Sequence, residues 1–131
     1  MSDRARSTDG AADPAVRRII QAERRRNAEG RRRAAERLER ARAEARRLAG
    51  RFAEEDRNIR KVILFGSVAN GIVRDEWFDI DLAVRGGDHL KLIRLAEESE
   101  FKVDVVDLDT VSPAFDEMVE RFGTVIYNAH Q

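Results

Sequence analysis

The chain of 131 residues contains no cysteine, and it contains only two histidines, His89 and His130. Without cysteine the protein can form neither disulfide bonds nor a thiolate zinc site, a composition typical of intracellular proteins. Neither histidine adjoins the aspartates at 79 and 81 in sequence, which argues against chemistry driven by histidine.

Long apolar segments are also missing. No apolar run approaches the roughly 20 residues that a membrane-spanning helix needs. The first ten residues, MSDRARSTDG, have no apolar core after their arginines, so we do not expect a secretory signal. We therefore expect a cytoplasmic protein without membrane association. Residues 1–12 are small, polar and aperiodic, and we predict that they form a disordered tail.

The charges are divided unevenly although the net charge is zero. Residues 1–60 contain 18 Arg and Lys against 11 Asp and Glu, a balance of +7, and residues 61–131 contain 7 against 14, a balance of −7. Such asymmetry indicates a charged partner or contact between the two halves. The basic half is suited to nucleic acid, to an acidic protein surface or to the phosphates of a substrate.

Residues 13–57 are rich in Arg, Ala and Glu and predict a long N-terminal α-helix, with Asp13 as its cap and Pro14 at its first position. The helix is either continuous or broken near residues 27–30. Four roles remain open for this helix: packing on the globular domain, pairing with a second copy in a homodimer, nucleic-acid binding, and recognition of a partner protein. Its second half carries an apolar stripe of coiled-coil spacing, consisting of Ala34, Leu38, Ala41, Ala45, Leu48 and Phe52.

From residue 58 onward the pattern changes to short alternating elements. Strands are predicted at 61–65, 80–84 and 103–106, and helices at 89–99 and 113–122. Residues 67–73 are predicted to be a short helix or a turn, and residues 124–127 a terminal strand or a tail. This order predicts an α/β (α+β) fold in which a small mixed β-sheet is flanked by helices and preceded by the long helix. Residues 58–131 are expected to form one domain.

Two short motifs at the ends of predicted strands point to a binding site. Gly66 allows the backbone to approach a ligand, and Ser67 opens a helix whose first N–H groups suit a phosphate. Asp79 and Asp81 stand at i and i+2, so their carboxylates converge on one face and favour a hard divalent cation. Taken singly, a Gly-Ser pair is also typical of an ordinary turn, and an aspartate pair can solvate an edge strand.

Asp104 supplies a third carboxylate within an apolar strand. If this strand lies beside the one that carries Asp81, three carboxylates can hold two magnesium ions, which clamp a triphosphate for in-line attack. Asp104 can alternatively take the proton from the attacking hydroxyl. Asp107 and Asp109 are further candidates, but they lie at the strand end, and Asp107 has the opposite parity, so turn roles are predicted for them.

Taken together, the Gly-Ser pair, the paired aspartates and the later Val103-Asp104-Val105-Val106 resemble the minimal nucleotidyltransferases of the DNA polymerase beta superfamily. The resemblance covers about residues 59–128. It implies a nucleotidyltransferase fold, Mg²⁺, and transfer of a nucleoside monophosphate from ATP or another nucleoside triphosphate to an acceptor. It further implies roles for five residues: Asp79 and Asp81 as metal ligands, Asp104 as third ligand or base, and Gly66 and Ser67 as phosphate contacts.

The resemblance also implies a partner. Many small members of the family are antitoxins paired with helical HEPN ribonuclease toxins, and some adenylylate a tyrosine of the toxin. Three functional hypotheses follow: an enzyme that transfers AMP to a hydroxyl of a partner protein, a catalytically weak antitoxin-like module that occludes a ribonuclease toxin, and a nucleic-acid binder that uses the basic helix.

The segment between the two motifs departs from the family pattern. Eleven residues separate Ser67 from Asp79 where ten are usual, and Asn70-Gly71 stands where Arg-Gly is common. Trp77-Phe78 precedes the aspartate pair where a small polar residue is usual. We predict that these aromatic residues pack against the domain; the alternatives are that they stack on a nucleotide base or that they block the pocket.

Overall fold

The computed structural model describes residues 13–73 and 75–130, so the tail predicted at 1–12 lies outside the described residues. None of the helices in this part of the chain is long and apolar enough to cross a membrane. The elements, in chain order, are α1 (Pro14–Glu55), β1 (Lys61–Phe65), α2 (Gly66–Asn70), β2 (Ile80–Arg85), α3 (His89–Ala96), β3 (Val103–Asp107), α4 (Pro113–Phe122) and β4 (Thr124–Asn128).

The four strands form one mixed sheet in the order β3-β2-β1-β4. β1 is antiparallel to both of its neighbours, whereas β2 and β3 are parallel. The parallel pair requires a crossover connection, and α3 provides it. The predicted α+β architecture, with a small mixed sheet, flanking helices and a long N-terminal helix, is confirmed.

Each face of the sheet is covered by different helices. α1 and α3 pack on one face, where they bury a core that includes Leu48, Phe52, Val62, Ile80, Leu82, Val84 and Leu92. α4 packs on the other face through Val119, which contacts a smaller core of Ile63, Ala83 and Leu108. Side chains alternate between faces along a strand, so Asp81 and Ala83 of β2 share the face that α4 covers.

α1 is a single helix of 42 residues and is not broken near residues 27–30. It begins as predicted: the Asp13 side chain accepts a hydrogen bond from the N–H of Ala15 at 2.9 Å, and Pro14 occupies the first turn. Of the predicted stripe, five residues are buried and Leu38 packs against them at partial exposure. The stripe therefore packs on the sheet of its own chain.

The first half of α1 lies outside this core. None of residues 14–33, which we call the arm, is buried, and Ile19 is 63% exposed. At about 1.5 Å per residue, these 20 positions make the arm about 30 Å long. Packing thus stabilises only the second half of the helix.

The helix after β1 differs from the prediction. It begins at Gly66 and ends at Asn70, several residues before the predicted end at 73. Gly71 adopts the left-handed conformation, with φ of 75°, and its N–H donates to the Ser67 carbonyl at 2.8 Å. A glycine in this conformation is a common way to end a helix.

Candidate active site

The strands that carry the predicted aspartates are neighbours. Asp81 of β2 is the register partner of Asp104 of β3 on one side and of Phe65 of β1 on the other. Asp79 precedes the first residue of β2 by one position. The structure therefore brings the three aspartates predicted from sequence to the same end of the sheet, at the N-terminal ends of β2 and β3.

The environment of Asp81 disfavours a negative charge. Burial, the charges of Asp104 and Asp79 and a hydrogen bond with Asp104 together raise the pKa of Asp81 to about 6, burial being the largest cause. Lys102 forms an ion pair with one of these carboxylates, its Nζ lying 3.6 Å from Asp79 Oδ2. The Lys102 side chain is 74% exposed, so water weakens its compensation of the carboxylate charges.

The donor set suits a hard divalent cation, because carboxylate oxygens are the ligands that Mg²⁺ prefers. Within residues 13–73 and 75–130, no three His, Cys, Asp or Glu side chains are already gathered at metal-ligating spacing. The partly buried carboxylate of Asp81 and the exposed carboxylate of Asp104 repel each other, and this concentration of negative charge nevertheless fits a cation. The assignment of Asp79, Asp81 and Asp104 as metal ligands stays a prediction.

Gly66 lies directly against Asp81. Its φ is 76°, and a Cβ built on it would overlap Asp81 Oδ2 and stand 3.2 Å from Asp81 Cγ. A side chain is therefore excluded by both conformation and space. The Gly-Ser pair and the aspartate pair, which are eleven residues apart in sequence, form one site in the structure.

Ser67 connects this site to a neighbouring pocket. The first turn of α2 has Phe65 at its N-cap, which makes no side-chain capping bond, so its N–H groups are not capped by a side chain. Ser67 is half-buried and lines a pocket of about 320 Å³ together with Ile72, Val73, Asp75, Trp77 and Phe78. Cavities of this size class accommodate small ligands.

The two aromatic residues before the aspartate pair have different surroundings. Phe78 packs against the larger core, and the Arg37 guanidinium lies 5.9 Å from the centre of its ring. Trp77 is 81% exposed. The predicted packing role is therefore confirmed for Phe78 and wrong for Trp77, which is largely exposed to solvent.

Asp107 and Asp109 form a turn, as predicted. Asp107 Oδ1 accepts a hydrogen bond from the N–H of Asp109 at 2.9 Å, and its carbonyl accepts from the hydroxyl of Thr110 at 3.0 Å. Asp109 accepts from the N–H of Gly86 at 2.9 Å and pairs with Arg60 at 3.3 Å. Both carboxylates are engaged in connecting the strand ends.

Two basic side chains near the strand ends have structural roles. Arg85 and Lys61 are register partners on β2 and β1, and both bind Glu120 of α4, at 2.9 and 3.1 Å. Arg85 also bonds Asp116 at 3.0 Å. These contacts attach α4 to the sheet at the end opposite the aspartates.

Sequence reasoning missed two supporting residues. Arg42 of α1 donates hydrogen bonds to backbone carbonyls of α2, and buried Asp56 accepts from the N–H groups of Asn58 and Asp88. The partners of Arg42 lie 26 and 27 residues away, so no local pattern indicates them. Asp56 differs from the surrounding acidic residues only in its burial.

A comparison with known families decides the assignment. The family described as Polymerase beta, Nucleotidyltransferase matches residues 49–131. The chain belongs to this nucleotidyltransferase family. The matched segment starts inside α1 and contains Gly66, Ser67 and all three aspartates, so the family resemblance stated from the sequence is confirmed.

Solved structures share the fold. A toxin–antitoxin structure with AMP-PNP has a TM-score of 0.54 at 24% identity, covering 66% of this chain and 75% of that chain. A tri-AMPylated Shewanella oneidensis HEPN toxin in complex with MNT antitoxin matches with a TM-score of 0.52 at 22% identity, and the match covers 70% of this chain and 75% of that chain. A putative nucleotidyltransferase from Sulfolobus solfataricus matches with a TM-score of 0.53 at 17% identity, and the match covers 76% of this chain and 90% of that chain. No curated protein sequence matches the chain.

Proposed function

We propose that this protein is a magnesium-dependent nucleotidyltransferase that transfers AMP from ATP to a hydroxyl group of a partner protein. The observation that carries this proposal is the pairing of Asp81 with Asp104 on adjacent strands, with the Gly66 backbone against the Asp81 carboxylate. A structural sheet has no need for a partly buried aspartate, Asp81, beside a second, exposed aspartate that repels it, whereas a nucleotide–metal site does.

Asp79, Asp81 and Asp104 would hold the magnesium. When bound, Mg²⁺ neutralises phosphate charge and makes the phosphorus easier to attack. The raised pKa of Asp81 is consistent with this role, since a bound cation offsets the repulsion from Asp104 and Asp79.

The remaining groups would bind and orient the nucleotide. The first turn of α2, at Gly66 and Ser67, has N–H groups that no side chain caps and that can donate to an anion. We assign this turn to the phosphates. The 320 Å³ pocket that begins at Ser67 and extends to Trp77 is assigned to the nucleoside. Asp104, which is exposed, would serve either as the third metal ligand or as the base that accepts the proton of an incoming hydroxyl.

Two observations support a protein as the acceptor. Ile72 and Trp77, which line the same pocket, are 76% and 81% exposed, and exposed apolar residues beside a site favour contact with another protein. Structural neighbours of this fold are described as toxin–antitoxin complexes, one of them with an AMPylated HEPN toxin. By analogy, the partner proposed here is a helical toxin of the HEPN type.

The same exposed residues favour a second candidate function. An antitoxin-like protein with weak or no catalysis can use Ile72 and Trp77 to occlude a ribonuclease toxin. The third hypothesis is a nucleic-acid binder that uses the basic arm. It predicts that the affinity for nucleic acid falls steeply as the salt concentration rises.

Incubation with ATP labelled at the α-phosphate, in Mg²⁺ and with the protein encoded beside this chain, tests the enzymatic proposal. We expect label on the partner, loss of it with EDTA and in Asp81→Asn, and retention in Glu117→Gln, which alters an exposed carboxylate of α4. ATP labelled at the γ-phosphate should transfer nothing. If the partner is inhibited without becoming labelled, and the double variant Asp79→Ala, Asp81→Ala inhibits it equally well, the result would favour occlusion instead.

A further inference from the structure

The carboxyl end of α2 is held by a residue of α1. Arg42 Nε donates to the carbonyl of Val68 at 2.9 Å, and Arg42 Nη2 donates to the carbonyl of Ala69 at 3.3 Å. Carbonyl groups in the last turn of a helix have no partner within the helix. A guanidinium group satisfies two of them with charge-assisted hydrogen bonds.

α2 needs such support because it is short. It has five residues, no side-chain cap at its N-terminus and no basic residue in its own last turn. A helix of this length is not stable by itself, since nucleation is unfavourable and few backbone bonds repay it. Within residues 66–71, Gly71 adds one backbone bond to the Ser67 carbonyl.

Arg42 is itself held in place. Its neighbours Ala41 and Ala45 are fully buried in the larger core, so the backbone that carries Arg42 is fixed to the sheet. Gly71 leaves room for the guanidinium, because a Cβ there would lie 3.1 Å from Arg42 Nη2. The contact therefore joins a rigid part of α1 to the turn that follows Ser67.

We propose that Arg42 is a positioning residue for the nucleotide site. By fixing the end of α2, it fixes the start of the same helix, where Gly66 lies against Asp81 and Ser67 lines the pocket. Arg42 lies before residue 49, where the family match begins, so the long helix contributes to the site from outside the matched segment. The effect on nucleotide rests on the proposed function, whereas the effect on α2 does not.

Hydrogen exchange of the full chain without nucleotide tests the effect on α2. In Arg42→Ala, the amides of Asn70 and Gly71 should exchange at least about tenfold faster, because the charge-assisted bonds that keep the turn closed are lost. The amides of β1 should keep their rates. Arg42→Lys should recover part of the protection, and Arg46→Ala, an exposed position one turn along α1, should leave it unchanged.

Titration with Mg²⁺ and ATP tests the effect on the site. Arg42→Ala should raise the Kd for ATP about tenfold, and added methylguanidinium should restore part of the affinity. A merely structural role would lower the melting temperature without such rescue. If Arg42→Ala does not fold, Arg42→Lys carries both measurements, with smaller changes expected.

The outcomes separate the two proposals. Unchanged exchange at Asn70 and Gly71 in the Arg42 variants overturns the positioning role, and so does unchanged ATP affinity in a chain that binds ATP. Failure of the unaltered chain to bind ATP in Mg²⁺ contradicts the proposed function, and the exchange rates then still decide whether Arg42 fixes α2.

Discussion

At the scale of single residues, Asp81 has the least favourable charge in the site. Its pKa is raised from 3.8 to about 6 by burial, by the charges of Asp104 and Asp79 and by a hydrogen bond with Asp104. Between these two values the folded state binds a proton that the unfolded state releases, so the free energy of unfolding falls as the pH rises through this window. Above it, the ionised carboxylate destabilises the fold unless a cation is bound.

Asp81→Asn should therefore stabilise the metal-free protein at neutral pH. We expect a gain of about 1–2 kcal/mol in the free energy of unfolding at pH 7.5 in EDTA, less than the full shift implies because the group is partly exposed to solvent. The gain should vanish near pH 4, where Asp81 of the unaltered protein is protonated. Urea unfolding at the two pH values measures both.

Glu117→Gln, at an exposed position of α4, is the matched control and should show no such pH-dependent gain. A lower stability of Asp81→Asn than of the unaltered chain at pH 7.5 in EDTA would mean that burial and repulsion do not dominate at this carboxylate.

Gly66→Ala should destabilise the fold and disrupt the site. The new methyl group would overlap the Asp81 carboxylate at a backbone φ of 76°, so we expect a loss of at least about 2 kcal/mol. Gly50→Ala is the control, because Gly50 lies within α1 and a Cβ there meets no atom within 4 Å. That variant should gain up to about 1 kcal/mol in unfolding experiments, and equal effects of the two changes would contradict the close packing at Gly66.

The residues of the site were largely predictable from the sequence, but their support was not. Gly66 is conspicuous because it directly follows an apolar strand, and Asp81 and Asp104 because an aspartate within an apolar strand is unfavourable unless it has a function. Arg42 and Asp56 stand among many similar charged residues of a polar helix. Only the tertiary structure selects them, through partners up to 32 residues away.

At the scale of elements, Asp56 joins the end of α1 to the start of α3. Asp56 is 6% exposed, and its carboxylate accepts hydrogen bonds from the N–H groups of Asp88, at 2.7 Å, and Asn58, at 3.0 Å. The Asp88 bond is the main reason that the pKa of Asp56 lies below 3.8. This carboxylate thus fixes α1 against the loop between β2 and α3.

Asp56→Ala should lower the free energy of unfolding by about 2–3 kcal/mol at pH 7, since two backbone N–H groups lose a charged acceptor. The pKa of Asp56 is depressed in the fold, so its contribution is present above about pH 4 and is lost as the pH falls below that value. Denaturant titrations from pH 7 to pH 3 should show the two proteins converging. A constant difference across this range would contradict the role of the charge.

The order and type of the elements followed from periodicity, whereas their ends and contacts did not. The stripe from Ala34 to Phe52 was visible as a pattern, but the pattern alone leaves open whether it packs on the sheet or on a second copy. The structure shows that the sheet of the same chain covers it. The early end of α2 depends on the left-handed conformation of Gly71, which the sequence NG permits without requiring.

At the scale of the whole molecule, α1 is divided between a packed half and the exposed arm. Ala41, Ala45 and Leu48 belong to the larger core, yet they precede residue 49, where the family match begins. The matched segment therefore lacks part of the core that the structure builds. The arm contributes no buried residue.

Two truncations should separate these halves. A chain that begins at residue 31 should keep its stability within about 1 kcal/mol, because the removed part of the arm buries nothing. A chain that begins at residue 49 should fail to unfold cooperatively, since it loses Leu38, Ala41, Ala45 and Leu48. Thermal unfolding followed by circular dichroism measures both, and cooperative melting of the shorter chain at the temperature of the full protein would contradict the shared core.

The central claim is that the three-aspartate site binds ATP together with Mg²⁺, and calorimetric titration of the full chain with ATP tests it most directly because no acceptor is needed. We predict binding in Mg²⁺, at least a tenfold weaker Kd in EDTA, and a similar loss in Asp81→Asn, with Glu117→Gln binding normally. Equal affinity with and without Mg²⁺, equal affinity in Asp81→Asn, or no binding at all would contradict the account.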